Sequence, residues 1–179
     1  MGKRQGGLYP ILFLTVVVLI SVIALTVTND ITEEPIAEGK RQAIMEMLQS
    51  LFPEMDDFRY DEESERYTVT ADGTLLGQAF MAQGVGYGGP IDILIGLELD
   101  SALRGIQIVS QKETPGLGAK VTGATFLNQF VGQEAGTLAL TKDGGAIDAI
   151  TGATISSSAV VKAIKDAVLE QSGNNGGGE

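Results

Sequence analysis

Cysteine, histidine and tryptophan are absent from the 179 residues, and basic residues are scarce, 12 Lys and Arg against 23 Asp and Glu. Without thiol or imidazole there is no structural zinc site of the usual kind, no cysteine-held iron–sulfur cluster, no histidine-held haem and no Ser-His-Asp machinery. No disulfide can form. The formal charge of −11 gives a field that repels phosphate backbones, so no nucleic-acid partner is expected. Met45, Met47 and Met55 read as packing residues rather than ligands, and no metal site is expected. What is abundant is glycine, 24 residues, which predicts tight turns and close backbone approaches in a chain long enough for one domain.

Charge is also missing from residues 8–28, where nearly every position is Ile, Leu, Val or Phe. A helix rising about 1.5 Å per residue needs roughly 20 such residues to cross about 30 Å of hydrocarbon, so this run predicts a transmembrane helix. A cleaved signal peptide is the rival reading, but its apolar region usually runs only about 7–15 residues and ends in a small-x-small site. Ala24-Leu25-Thr26 is a poor one. Lys3 and Arg4 precede the run, while Asp30, Glu33, Glu34 and Glu38 follow it. The positive-inside bias then leaves residues 1–7 in the cytoplasm and everything after the span outside it, in a single-pass cell-membrane topology.

Residues 29–65 read as a stalk helix and an acidic loop. Pro35 opens the helix, Ile44, Met47, Leu48 and Leu51 form one apolar face, and Pro53 stops it. Residues 56–65 are acidic and poor in aliphatics, as in a solvated loop. From 66 to 171 short alternating segments predict strands over 67–71, 75–81, 91–99, 105–110 and 138–141, with Asp72-Gly73 as a hairpin turn. Residues 84–90 are too glycine-rich for an element, 111–118 read as a loop, and 126–130 as a short helix. Over 156–171, Val160, Ala163, Ile164, Ala167 and Val168 share one helical face. The Gly/Asn-rich tail 172–179 is expected to be disordered. Strands punctuated by helices give an α+β class: one membrane helix followed by one extracytoplasmic domain.

Packing least explains Asp148-Ala149-Ile150-Thr151-Gly152-Ala153-Thr154-Ile155-Ser156-Ser157-Ser158, where five hydroxyls crowd the start of the last helix. One Ser or Thr would cap it. A helix N-terminus carries about half a positive charge with its N–H groups pointing outward, so it favours a phosphate. Gly152 allows close backbone approach, and Thr154 places a hydroxyl beside that phosphate, which makes the segment a candidate anion site.

The string Asp148-x-x-Thr151-Gly152-Ala153-Thr154-x-Ser156 resembles the flavinylation motif of the RnfG/NqrC family, whose FMN-binding domains serve ion-pumping membrane complexes. In that family a flavin transferase joins FMN to the last Thr of the motif through a phosphoester, which the resemblance maps to Thr154. Glu113-Thr114-Pro115-Gly116-Leu117-Gly118 is similar to the family's other signature loop, lying against the flavin. Gly86-Tyr87 and Gly89-Pro90-Ile91, ahead of a strand, are also similar. The resemblance implies an electron-transfer subunit with covalent FMN and no catalytic activity of its own. Its partners would be the membrane and iron–sulfur subunits of an Rnf-type complex that couples ferredoxin/NAD electron flow to Na+ or H+ transport. The short chain favours RnfG over NqrC. The other readings are an NqrC-like subunit of a Na+-translocating NADH:quinone reductase, a membrane-anchored flavin module serving a regulatory or reductase partner, or, if no flavin is attached, a solute-binding domain.

The flavin-site residues implied are Thr154, Thr151, Gly152, Ala153, Ser156 and Ser157 with Glu113, Thr114, Gly116, Leu117 and Gly118. Lys120 is a candidate phosphate partner, and Asp148 either contacts the finished site or is read by the transferase. A decoy, Thr122-Gly123-Ala124-Thr125, repeats the motif's four letters, but Ala119 stands where the Asp belongs and no serine follows. Thr125 is expected to cap a helix. The family often has a His before the Glu-Thr-Pro-Gly loop, and Gln111-Lys112 stands there instead. With no Cys or His of its own, the chain needs an organic cofactor to carry electrons.

Overall fold

The computed structural model describes residues 8–174, with side chains at 11–22 and 41–171. The expected cytoplasmic segment 1–7 and the end of the tail, 175–179, lie outside the described residues. The chain divides into two units, 1–44 and 45–179. In the first, helix α1 (Leu8–Leu51) begins inside the apolar run, and large apolar side chains between Ile11 and Val22 are exposed. Among the described residues no helix is long and apolar enough to cross a membrane. The helix does not open at Pro35, because the apolar run is itself helical and α1 continues from it.

The second unit is built on five antiparallel strands in sequence order: β1 (Asp57–Asp61), β2 (Arg66–Ala71), β3 (Thr74–Val85), β4 (Pro90–Glu98) and β5 (Leu103–Gln111). The β2–β3 turn falls at Asp72-Gly73, both at positive φ (50° and 72°), as a two-residue hairpin requires. Alternation gives each strand two faces. One face, with Phe80, Ile93, Ile95, Ile106 and Ile108, packs against Val160, Val161, Ile164 and Val168 of α3 (Thr154–Asn174) to form the main core. Between β5 and α3 the chain runs through the 3-10 turn Gly118–Thr122, the short α2 (Ala124–Leu127) and 3-10 turns at Asn128–Phe130, Ala135–Thr137 and Thr141–Asp143.

The opposite face is hollowed by glycine. Gly96 pairs with Gly105 across β4 and β5, and Gly77 lies on the same face of β3. The end of α1 fills this groove: Phe52 is fully buried, and a Cβ at Gly96 would lie 3.2 Å from its ring and 3.3 Å from Leu51. Burying a side chain of that size contributes about 1.5–3 kcal/mol. Arg104 donates Nε to the Leu51 carbonyl at 3.1 Å, pairs with Glu54, and stands 5.5 Å over the Phe52 ring. That places a cation at the end of the helix, where the dipole favours it.

Four further sequence expectations change. Residues 57–61 are an edge strand rather than part of a solvated loop, because Phe58 and Tyr60 stack on Tyr67 of β2 while the acidic residues face water. Strand β3 runs through Gly84 and Val85, leaving only 86–89 as loop; Gly84 is needed because α3's backbone at Ala159 crosses it closely. Residues 138–141 make a single bridge, Leu140 to Ile147, since the flanking 3-10 turns leave no partner strand. Helix α3 begins two residues early, at Thr154, and extends to Asn174, into the expected disordered tail.

Candidate functional site

Beyond Ile147, residues 148–153 have no sheet partner, so their backbone polar groups must be satisfied in another way. Two side chains do much of this. Gln129 accepts the Asp148 N–H at Oε1 (2.7 Å) and donates Nε2 to the Asp148 carbonyl (3.4 Å). Ser157 Oγ accepts the Ile150 N–H (3.0 Å) and donates to the Ala153 carbonyl (3.0 Å). The Ala153 N–H reaches back to the Ile150 carbonyl at 2.9 Å, and Gly152 closes this turn at φ 79°. Thr154 follows as the first residue of α3, exposed, in the turn whose N–H groups lack intrahelical partners.

The hydroxyls therefore divide by role. Ser157, fully buried, ties the turn together. Ser156, also buried, donates to Glu113 Oε2 at 2.6 Å. Thr154 remains exposed to the cleft. Glu113 is only 6% exposed, and its other oxygen accepts the Gly88 N–H at 2.9 Å. One carboxylate thus joins the 86–89 loop, the 111–118 loop and the start of α3. Glycine makes this possible: a Cβ at Gly86 or Gly118 would collide with the Glu113 carboxylate, so Gly118's close approach is to Glu113 and Ser156. Gly116 is different, at φ 79° with nothing near its missing Cβ. The strand ends that carry the loops are tied by Asp92. Side-chain hydrogen bonds from Gln83 (2.7 Å) and Ser110 (2.5 Å) hold its carboxyl below the usual range.

These elements enclose a cleft of about 480 Å³. Thr154, Gly152, Ala153, Ile155 and Ser156 form one wall, Glu113, Thr114, Leu117 and Gly118 the other, and Tyr87 stands at its edge. Tyr87 is 76% exposed, Ile155 58% and Leu117 48%, so the rim is apolar. A second cavity of about 560 Å³ contains Gly116, Lys120, Thr125, Phe126, Gln129 and Asp148. Lys120 and Asp148 are thus not on the Thr154 cleft, and Thr151 and Ser157 line neither cavity. Thr125 lies inside α2, whose cap is Gly123 with no side-chain bond, because the helix starts at Ala124; it is not the cap expected from sequence. A third cavity meets Thr154 from its other side with Lys142 and Lys162, which pair with Asp143 and Asp166.

Sequence reasoning left out Tyr87, Ile155 and Gln129 as site residues. A single aromatic inside a run of glycines was a usable sign for Tyr87, since glycines around it offer no side chains to bury a large ring. Nothing local marks Gln129, which acts 19 residues along the chain.

Residues 86–169 match the FMN-binding domain family. The G subunit of the ion-translocating oxidoreductase complex of Methanosarcina acetivorans is 34% identical over 160 residues, covering 83% of this chain and 84% of that protein. The G subunit of the proton-translocating ferredoxin:NAD(+) oxidoreductase complex of Clostridium ljungdahlii is 32% identical over 180 residues, covering 98% and 97%. Among solved structures, the C subunit of the Na(+)-translocating NADH-quinone reductase of Parabacteroides distasonis superposes with a TM-score of 0.52 at 27% identity, covering 57% of this chain and 58% of that one.

Proposed function

The chain belongs to the RnfG family, the G subunits of ion-translocating oxidoreductase complexes, and from that premise we propose that it is the electron-carrying subunit of such a complex, holding FMN as a phosphoester of the Thr154 hydroxyl. One observation carries the reading: two sequence motifs far apart in the chain, around Glu113 and Thr154, form opposite walls of one cleft. The cleft fits the group. An FMN molecule needs apolar walls for a planar ring and N–H donors for a phosphate, and its volume of about 480 Å³ lies within the usual range of roughly 300–1,000 Å³ for ligand pockets. Tyr87, Leu117 and Ile155 supply the walls, and the first turn of α3 supplies the donors.

Bound there, the flavin supplies the redox chemistry, taking up and passing on electrons. Thr154 tethers it against dilution outside the cell. The N–H groups and dipole of α3 balance the phosphate charge. Glu113 keeps the three loops in register, so that the walls do not drift apart, and it places a carboxylate at the cleft. Tyr87 and Leu117 exclude water from the space the ring would fill. Asp148, lining the other cavity, serves attachment by the flavin transferase rather than the finished cleft.

Residues 8–28 are proposed as the membrane anchor, supported by their length and freedom from charge. With Lys3 and Arg4 inside, the FMN-binding domain stands outside the cytoplasm, beside the membrane and iron–sulfur subunits. Co-production with the flavin transferase tests the attachment. Thr154→Ala is expected to abolish the fluorescent band in a denaturing gel while Thr125→Ala keeps it; loss in Thr125→Ala alone contradicts the assignment.

A further inference from the structure

We propose that Gln129 is a positioning residue for flavin attachment, holding Asp148 where the flavin transferase reads it. The inference rests on the Thr154 assignment above. Asp148 opens the flavinylation motif yet lines the 560 Å³ cavity, whereas Thr154 lines the 480 Å³ cleft. The motif's two ends thus face different spaces. Asp148 is exposed and does not line the cleft, which points its place in the motif to maturation.

Asp148 lies in a segment with no strand or helix partner, and a free segment would present its carboxylate in many directions. Gln129 fixes the backbone that carries it. Its side-chain amide copies a strand neighbour, with Oε1 accepting the Asp148 N–H at 2.7 Å and Nε2 donating to the Asp148 carbonyl at 3.4 Å. Gln129 is itself fixed, because it occupies the middle of the 3-10 turn Asn128–Phe130, whose Phe130 is fully buried. Further along the segment Ser157 accepts the Ile150 N–H and, at the other end, donates to the Ala153 carbonyl. The motif is therefore clamped at both ends by side chains, one clamp on the Asp148 side and one on the Thr154 side.

The step served is a transfer with a defined balance. Thr154 Oγ forms a P–O bond to the flavin phosphate of a flavin dinucleotide, the phosphoanhydride P–O bond breaks, the nucleoside monophosphate leaves, and the hydroxyl proton passes to the transferase. Gln129 touches none of these atoms and acts only by orienting Asp148 for the enzyme. Losing it should weaken recognition and leave the chemical step alone.

The test is attachment kinetics with the full chain, purified transferase, flavin dinucleotide and Mg2+. Gln129→Leu is expected to raise KM for the chain about three- to tenfold, the span of roughly one net hydrogen bond from the two that are lost, with kcat kept and the chain still folded, its unfolding midpoint lowered by only about 2–6 °C. Gln129→Glu, which retains the acceptor for the Asp148 N–H, should recover part of the loss. In an Asp148→Asn background, Gln129→Leu should have no further effect, because both act through the same carboxylate. Unchanged KM in a folded Gln129→Leu, or the same loss in both backgrounds, overturns the proposal while the attachment reading stands. A wild-type chain that takes no flavin at Thr154 overturns that reading, and this inference with it.

Discussion

At Glu113 a buried carboxylate accepts one N–H and one O–H, from Gly88 and Ser156, and two glycines leave it room. Removing it strands the buried Ser156 hydroxyl, while the N–H of exposed Gly88 turns to water, and a buried unsatisfied group costs about 1–3 kcal/mol. Glu113→Ala is therefore expected to destabilise the domain by about 1–3 kcal/mol in denaturant unfolding. Glu113→Gln keeps the shape: its carbonyl accepts the Gly88 N–H and its amide donates to Ser156 Oγ, so a loss of about 1 kcal/mol is expected. The same change removes a negative charge at the cleft, and with flavin attached the reduction potential should rise, because like-charge repulsion of the reduced flavin is relieved. Spectroelectrochemical titration checks this, and an unchanged or lowered potential contradicts the electrostatic part of the argument. At this scale the Asp148 to Ser156 string and the Glu113 to Gly118 loop were legible because their residue types are unusual where they stand. The division of the hydroxyls was not, since Ser156 and Ser157 differ only in what the fold places opposite them.

Among the elements, the groove of Gly77, Gly96 and Gly105 that receives Leu51 and Phe52 was hidden for the same reason. Scattered glycines read as turns, and only strand register aligns them on one face. A Cβ at Gly77 would strike the Leu97 carbonyl and come within 2.9 Å of the Phe52 ring. Gly77→Ala should cost about 1–3 kcal/mol as overpacking, whereas Gly136→Ala, exposed with no atom within 4 Å of its Cβ, should change stability by less than about 0.5 kcal/mol. Thermal unfolding of the two variants measures the contrast, and equal midpoints would mean that the groove is not tightly packed. The β2–β3 hairpin and α3 were readable from the Asp-Gly turn and the 3.6-residue apolar spacing. Strand β1 was not, because an edge strand with acidic residues facing water has little periodicity to show beyond Phe58 and Tyr60.

For the whole molecule, the proposed order is a charge-free N-terminal run, an acidic exported domain and a cleft that holds its own redox carrier. The run and the charge asymmetry around it are properties of sequence alone, which is why topology is a proposal that rests on residues 3–38. Protease added to spheroplasts is expected to degrade the domain beyond residue 28; protection there, with digestion only in inverted vesicles, would reverse the orientation. Attachment at Thr154 is read directly by mass analysis of peptides from the chain co-produced with the flavin transferase. The FMN mass is expected on the peptide containing Thr154 and none on the peptide containing Thr125. Flavin on the Thr125 peptide, or flavin released intact on denaturation with no modified peptide, would contradict it.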